Sequence, residues 1–193
     1  MSERRDALDA LEELSRKKLD TDEMFKLIWE FEHDAATAKQ DRAAAVSIAG
    51  ILEQLLANAI TTHFAGKNKA TEHKNLFDGE GAILSDFGAR IQLGYALGIY
   101  GPLMRSDLTT IRIVRNAFAH TTEHLTLDSP KVANVCGFLN LPKRDVWDGL
   151  DERPTTPRLQ YIKTAKVFYL MLDVTPNTPP LRYLEREHPE LFA

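Results

Sequence analysis

Residues 42–64 place the tightest limit on what this chain can fold into. Val46, Ile48, Ile51, Leu52, Leu55, Leu56, Ala59 and Ile60 recur there at helical spacing. A helix this long and this apolar predicts the central element of a core. Gly50 falls inside it, where glycine costs about 1 kcal/mol relative to alanine, so close packing of a second helix at that point is the expectation.

The flanking segments read as helices too. Residues 3–16, with Leu8, Leu11 and Leu14 among many charges, predict an exposed amphipathic arm. Asp20 or Thr21 can cap a second helix, with Asp22 and Glu23 in its first turn and Met24, Phe25, Leu27, Ile28 and Phe31 as apolar surface. Lys39-Gln40-Asp41 reads as a polar break. Residues 65–75 have no apolar period and read as a loop carrying Lys67, Lys69 and Lys74, either solvated or contacting phosphate. Ser85-Asp86 predicts a helix cap, with Gly101-Pro102 ending that helix after Tyr100.

Ser106 or Asp107 is the expected cap of the next helix, and residues 121–127 are expected to be extended. Asp128-Ser129-Pro130 starts another helix by cap-then-proline chemistry. Residues 141–157 read as a loop, and 158–173 as a closing helix with Leu159, Ile162, Ala165, Val167, Phe168, Leu170 and Met171. Prolines at 176, 179 and 180 break the pattern before a short helix at about 181–187. Without alternating strands or an internal repeat, the class is all-α. The expectation is a single-domain bundle of about six to eight helices over 20–174, with an arm at 1–19 and a tail at 175–193.

Electrostatics and cysteine usage narrow the function. A net charge of −4 gives no global footprint for nucleic acid, so any such contact must be local. Arg105 and Arg112, seven apart, give only a thin basic face beside Asp107. The single cysteine, Cys136, excludes an intrachain disulfide and reads as packing. No run of the roughly 20 apolar residues a membrane span needs is expected, nor a secretory signal, since Met1-Ser-Glu-Arg-Arg-Asp lacks its apolar run. A cytoplasmic setting without membrane, metal or cofactor is expected.

The candidate chemistry lies in Asp107–His120. On an ideal helix Ile111, Val114, Ala117 and Phe118 form its core stripe, and Arg115 lies at the edge of that stripe, needing a carboxylate or carbonyl partner, with Glu53 or Asp86 as the candidate carboxylates. Asn116 and His120 share the other flank. Arg115 and His120, five apart, diverge by roughly 140° and can meet only on a frayed last turn or across two subunits. His120-Thr-Thr-Glu-His124 matches the spacing of inverted zinc peptidases, but it straddles the expected helix end and no third ligand follows. His33, His63, His73 and His188 are scattered and read as exposed and solitary, while Trp29 and Trp147 read as core or interface anchors.

Taken together, Leu76-Phe-Asp-Gly-Glu-Gly81, Asp86-Phe-Gly-Ala-Arg90, Gly94-Tyr-Ala-Leu-Gly98 and Arg115-Asn-Ala-Phe-Ala-His120 resemble the mannitol repressor (MtlR) family of bacterial regulators. The resemblance covers about a third of the chain well and the 42–64 helix loosely. It implies an all-helical transcription regulator of a mannitol operon, without a helix-turn-helix, repressing through a protein partner. A dimer is expected on a separate ground, the crowded apolar positions of 24–31 and 159–171, which leave an apolar face over once a monomer core is built. Asp78, Glu80 and Arg90 from these motifs, with Lys67, Lys69, Arg115, Asn116 and His120, are the candidate binding or interface residues.

Arg115-x4-His120 is also similar to the signature of HEPN domains, many of which are dimeric, metal-independent ribonucleases. That likeness implies Arg115 stabilising phosphorane-like charge, His120 as general acid or base, and Asn116 orienting the phosphate. RNA would be a partner only on this alternative. A histidine near its ordinary pKa of about 6.5 suits either proton role.

Overall fold

The computed structural model describes residues 21–34, 36–64, 69–78, 81–147 and 151–173. Among them the chain forms seven α-helices and one 3-10 turn, with no strand. The helices are α1 (Thr21–His33), α2 (Ala38–Thr62), α3 (Lys69–Phe77), α4 (Phe87–Ala96), α5 (Pro102–His120), α6 (Pro130–Cys136) and α7 (Pro157–Leu172), and the 3-10 turn is Leu141–Lys143. The expected arm at 1–19, the tail at 175–193, His188, Lys67 and Glu80 lie outside the described residues.

α2 is the axis of an all-α bundle, packed against α1, α3, α4, α5 and α7. Thr37 caps it, its Oγ1 accepting from Gln40 N at 3.3 Å, so the helix starts before the expected Arg42. Lys39-Gln40-Asp41 is therefore no break. Asp41 turns inward, fully buried, and accepts from Leu127 N at 2.8 Å and from Arg158 Nε at 2.9 Å. By length and mean hydropathy, 1.6 in its most apolar window, α2 could cross a membrane, which corrects the expectation of no such run. In this fold 61% of that window is buried inside the bundle.

Several other boundaries moved for identifiable reasons. Residues 69–75 of the expected loop belong to α3, whose Phe77 is 3% exposed and anchors it to the core, while 65–68 lie outside the described residues. α4 ends at Ala96, and Gly98 takes a φ of +69° in the turn that follows. Gly101-Pro102 then opens α5 instead of closing α4, since proline at the first helical position loses no hydrogen bond. Neither Ser106 nor Asp107 is a cap. Asp107 sits inside α5, 1% exposed, and accepts from Asn140 N, Asn140 Nδ2 and Leu141 N at 2.7–2.9 Å, fastening α5 to the 3-10 turn.

The expected role of Gly50 falls elsewhere. A Cβ there would meet nothing within 4 Å, whereas at Gly94 it would lie 2.8 Å from Tyr100 Oη and 2.9 Å from Leu56 Cδ1. Gly94 is thus the glycine that lets two elements close together. Trp147 is core, 3% exposed, while Trp29 is 48% exposed and packs against His33 with ring centroids 4.1 Å apart and the planes tilted by 31°. His73 is not solitary: it packs on Phe77 and stands 3.5 Å from Asp78 Oδ2.

Candidate functional site

Amphipathicity orients α5. Met104, Leu108, Ile111, Val114 and Phe118 are buried, which turns Arg115 toward α2 and leaves Ile113, Ala117 and His120 toward solvent. Ala117 therefore leaves the core stripe predicted for it. Arg115 Nη2 reaches Glu53 Oε2 of α2 at 3.5 Å, and its guanidinium lies 6.0 Å from the Phe87 ring. Of the two partners expected for Arg115, Glu53 is the one engaged. Asp86 instead caps α4 by accepting from Ala89 N at 3.1 Å.

Arg90 of α4 shares the same carboxylate. Its Nε lies 4.0 Å from Glu53 Oε1 and donates to Leu84 O at 2.6 Å, while its other nitrogens donate to Glu53 O and Phe77 O. The guanidinium also stands 5.1 Å over the Phe77 ring. Arg90 thus ties α2, α3 and the turn before α4 together. Burial raises the Glu53 carboxyl above its ordinary range, only partly countered by Arg90 and Arg115. Asp78 is exposed beside His73, and Lys69 opens α3.

The fold does not bring Arg115 and His120 together within one chain. α5 remains helical through His120, and Thr121 N donates to Ala117 O at 3.1 Å, so the last turn is not frayed. His120 is exposed and Asn116 half-buried, and the side chains of both are without a hydrogen bond among the described residues. Because the helix stops at His120, His120 and His124 share no helical face for a zinc ion. Cys136 is 1% exposed, and burial pushes its thiol up to about 12, which suits packing and not nucleophilic attack.

Two apolar grooves flank the C-terminal half of α5, and nothing in the sequence pattern of single helices announced them. One, about 320 Å³, lies between α5 and α6, lined by Ile113, Val114, Ala117, Leu125, Val132 and Val135 with Glu123 and Lys131. Nearby in the chain, Phe138 is 62% exposed, and Ile113 itself is 48% exposed. The other, about 450 Å³, lies between α2 and α5, lined by Lys39, Arg42, Ala43, Val46, Phe118 and Ala119. Grooves are made by two helices at once, so only tertiary packing reveals them.

The arginines that looked like a basic helix face are otherwise occupied. Arg105 lies 4.6 Å over the Tyr95 ring. Arg112 is half-buried, its Nε enclosed without a partner and its guanidinium against Gly88. Among known proteins, no family model, no curated protein and no solved structure matches this chain.

Proposed function

We propose that this protein is a non-enzymatic, cytoplasmic regulatory domain of the mannitol-repressor type, acting on transcription through protein association as a homodimer. The observation that carries this reading is the apolar groove between α5 and α6, bordered by solvent-facing Ile113, with Phe138 exposed three residues beyond its lining residue Val135. Large apolar side chains left in water beside a groove mark an association surface. The charged residues lining it, Glu123 and Lys131, are of opposite sign, which suits a two-fold contact in which each copy offers both. Arg105 and Arg112, turned against the protein's own surface, favour repression through a partner over direct operator reading.

A second reading, a HEPN-like ribonuclease, is favoured by one observation. His120 is exposed and Asn116 half-buried at the end of α5, and neither side chain has a hydrogen bond among the described residues. On that reading a second subunit supplies the Arg115 that meets each His120, with His120 moving the proton and Arg115 holding the developing charge.

One experiment separates the two. The protein, with R115A and H120A, is incubated with a labelled mixed-sequence RNA in EDTA, and light scattering gives the mass of wild type, I113R and F138R. The expected result is no cleavage and a dimer that I113R or F138R dissociates. Cleavage by wild type that both active-site variants abolish would replace the regulatory reading, and a monomeric wild type would remove its dimer.

A further inference from the structure

We propose that the groove between α2 and α5 docks an acidic amphipathic helix of a partner protein. The inference rests on the association reading above and names the chemistry of the partner. Lys39, Ala43, Val46 and Gly50 are all exposed and recur at spacings of four, three and four along α2. At 1.5 Å per residue this stripe runs for about 16 Å, three turns of the helix on which the bundle is centred. Val46 is 40% exposed on it. Ala43 and Gly50 keep it low, and the space beyond Gly50 is open for at least 4 Å, so a second backbone can approach closely. Fully buried Phe118 and exposed Ala119 of α5 form the opposite wall.

Charge decides which helix fits. Both charged residues lining the groove are cations, Lys39 and Arg42, and no carboxylate lines it. Lys39 is exposed and makes no ion pair among the described residues. Arg42 donates through Nη2 to the carbonyls of Thr121 and Glu123, which fixes its position without neutralising it. Asp41, between these two cations in sequence, faces inward to Arg158.

The alternatives fit less well. A second copy on this groove would set Lys39 and Arg42 against themselves, since a two-fold contact pairs each patch with its own image. A phosphate polymer would use the cations and leave the apolar stripe and its wall without a role. An acidic helix with apolar anchors one turn apart uses both, in the helix-in-groove manner.

The test uses the full chain and a fluorescent synthetic helix of about 20 residues, with leucines at heptad positions and glutamates elsewhere, read by anisotropy. A second peptide carries lysines in place of the glutamates. Lys39 and Val46 are exposed, so K39E and V46R should melt with the wild type. The glutamate peptide is expected to bind saturably, at least roughly ten-fold more weakly to either variant and more weakly as salt rises, while the lysine peptide does not bind. The proposal is overturned if the glutamate peptide fails to bind, if the lysine peptide binds equally, or if V46R and K39E bind like wild type. A dimer sensitive to I113R alongside any of these results would remove this docking site and leave the association reading standing.

Discussion

Two carboxylates on α2, three turns apart, meet arginines from distant helices in different ways. Asp41 is fully buried and meets Arg158 Nε at 2.9 Å, and Arg158 also donates to Phe31 O at 2.6 Å and Glu32 O at 3.4 Å. Glu53 keeps 21% of its side chain in solvent and meets Arg115 at 3.5 Å and Arg90 at 4.0 Å. In the first pair every guanidinium nitrogen and both carboxylate oxygens have a partner inside the fold. The second is longer, divided between two arginines, and open to water. A charge pair stabilises strongly only when short geometry and further hydrogen bonds offset desolvation, so the Asp41 pair is a fastening and the Glu53 pair a looser clasp.

The largest effect should therefore fall on the first region. Arg158→Ala strands a buried carboxylate and two carbonyls, and breaking such a pair costs about 3–5 kcal/mol. For a chain of this size that lowers the melting temperature by about 10 °C. Calorimetry of R158A beside R115A checks the ranking, and an R158A melt within a couple of degrees of wild type would erase the distinction drawn here.

The middle effect belongs to the clasp. Arg115→Ala removes a long, partly solvated pair, so about 1 kcal/mol is expected. Glu53 sharpens the contrast through pH. Burial raises its folded pKa above the ordinary 4.5, so the folded state holds the proton more tightly than the unfolded chain. That contribution is present below the ordinary value and is lost as pH rises through the raised folded one. Wild type should lose stability relative to E53Q over that interval and track it in parallel at higher pH. Urea titrations across the range read the difference, and a gap that widens in favour of wild type as pH rises would reverse the sign assigned to Glu53.

What could be read from the sequence follows the same division. The fold class and the core of α2 were legible, because Ile48, Leu52, Leu55 and Leu56 repeat at a period that depends on one helix alone. The need of Arg115 for a carboxylate or carbonyl partner, with Glu53 as one of two candidate carboxylates, was legible for the same reason: an arginine at the edge of an apolar stripe cannot stay unpaired. Asp41 and Asp107 were misread as break and cap. Their partners, Leu127 and Arg158 for one and Asn140 and Leu141 for the other, come from segments more than 30 residues away, and an isolated aspartate near a helix start looks the same whether it caps or is buried. The grooves were invisible for the corresponding reason, since Val46 and Phe118 line one wall-to-wall space only after α2 and α5 have met.

The smallest effect should come from His120, and its smallness is informative. The ring is exposed at the last position of α5, where a protonated imidazole interacts favourably with the helix C-terminus by a few tenths of a kcal/mol. His120→Ala should leave the melting temperature within about 1 °C at neutral pH. R115A, five residues earlier, should melt measurably lower, because only Arg115 has a partner across the bundle. The two halves of the Arg-x4-His motif would then separate into one residue that holds the fold and one that does not. If H120A destabilises as much as R115A, the ring has a partner that its exposure does not suggest, and the dimer in which a second subunit meets it becomes the place to look.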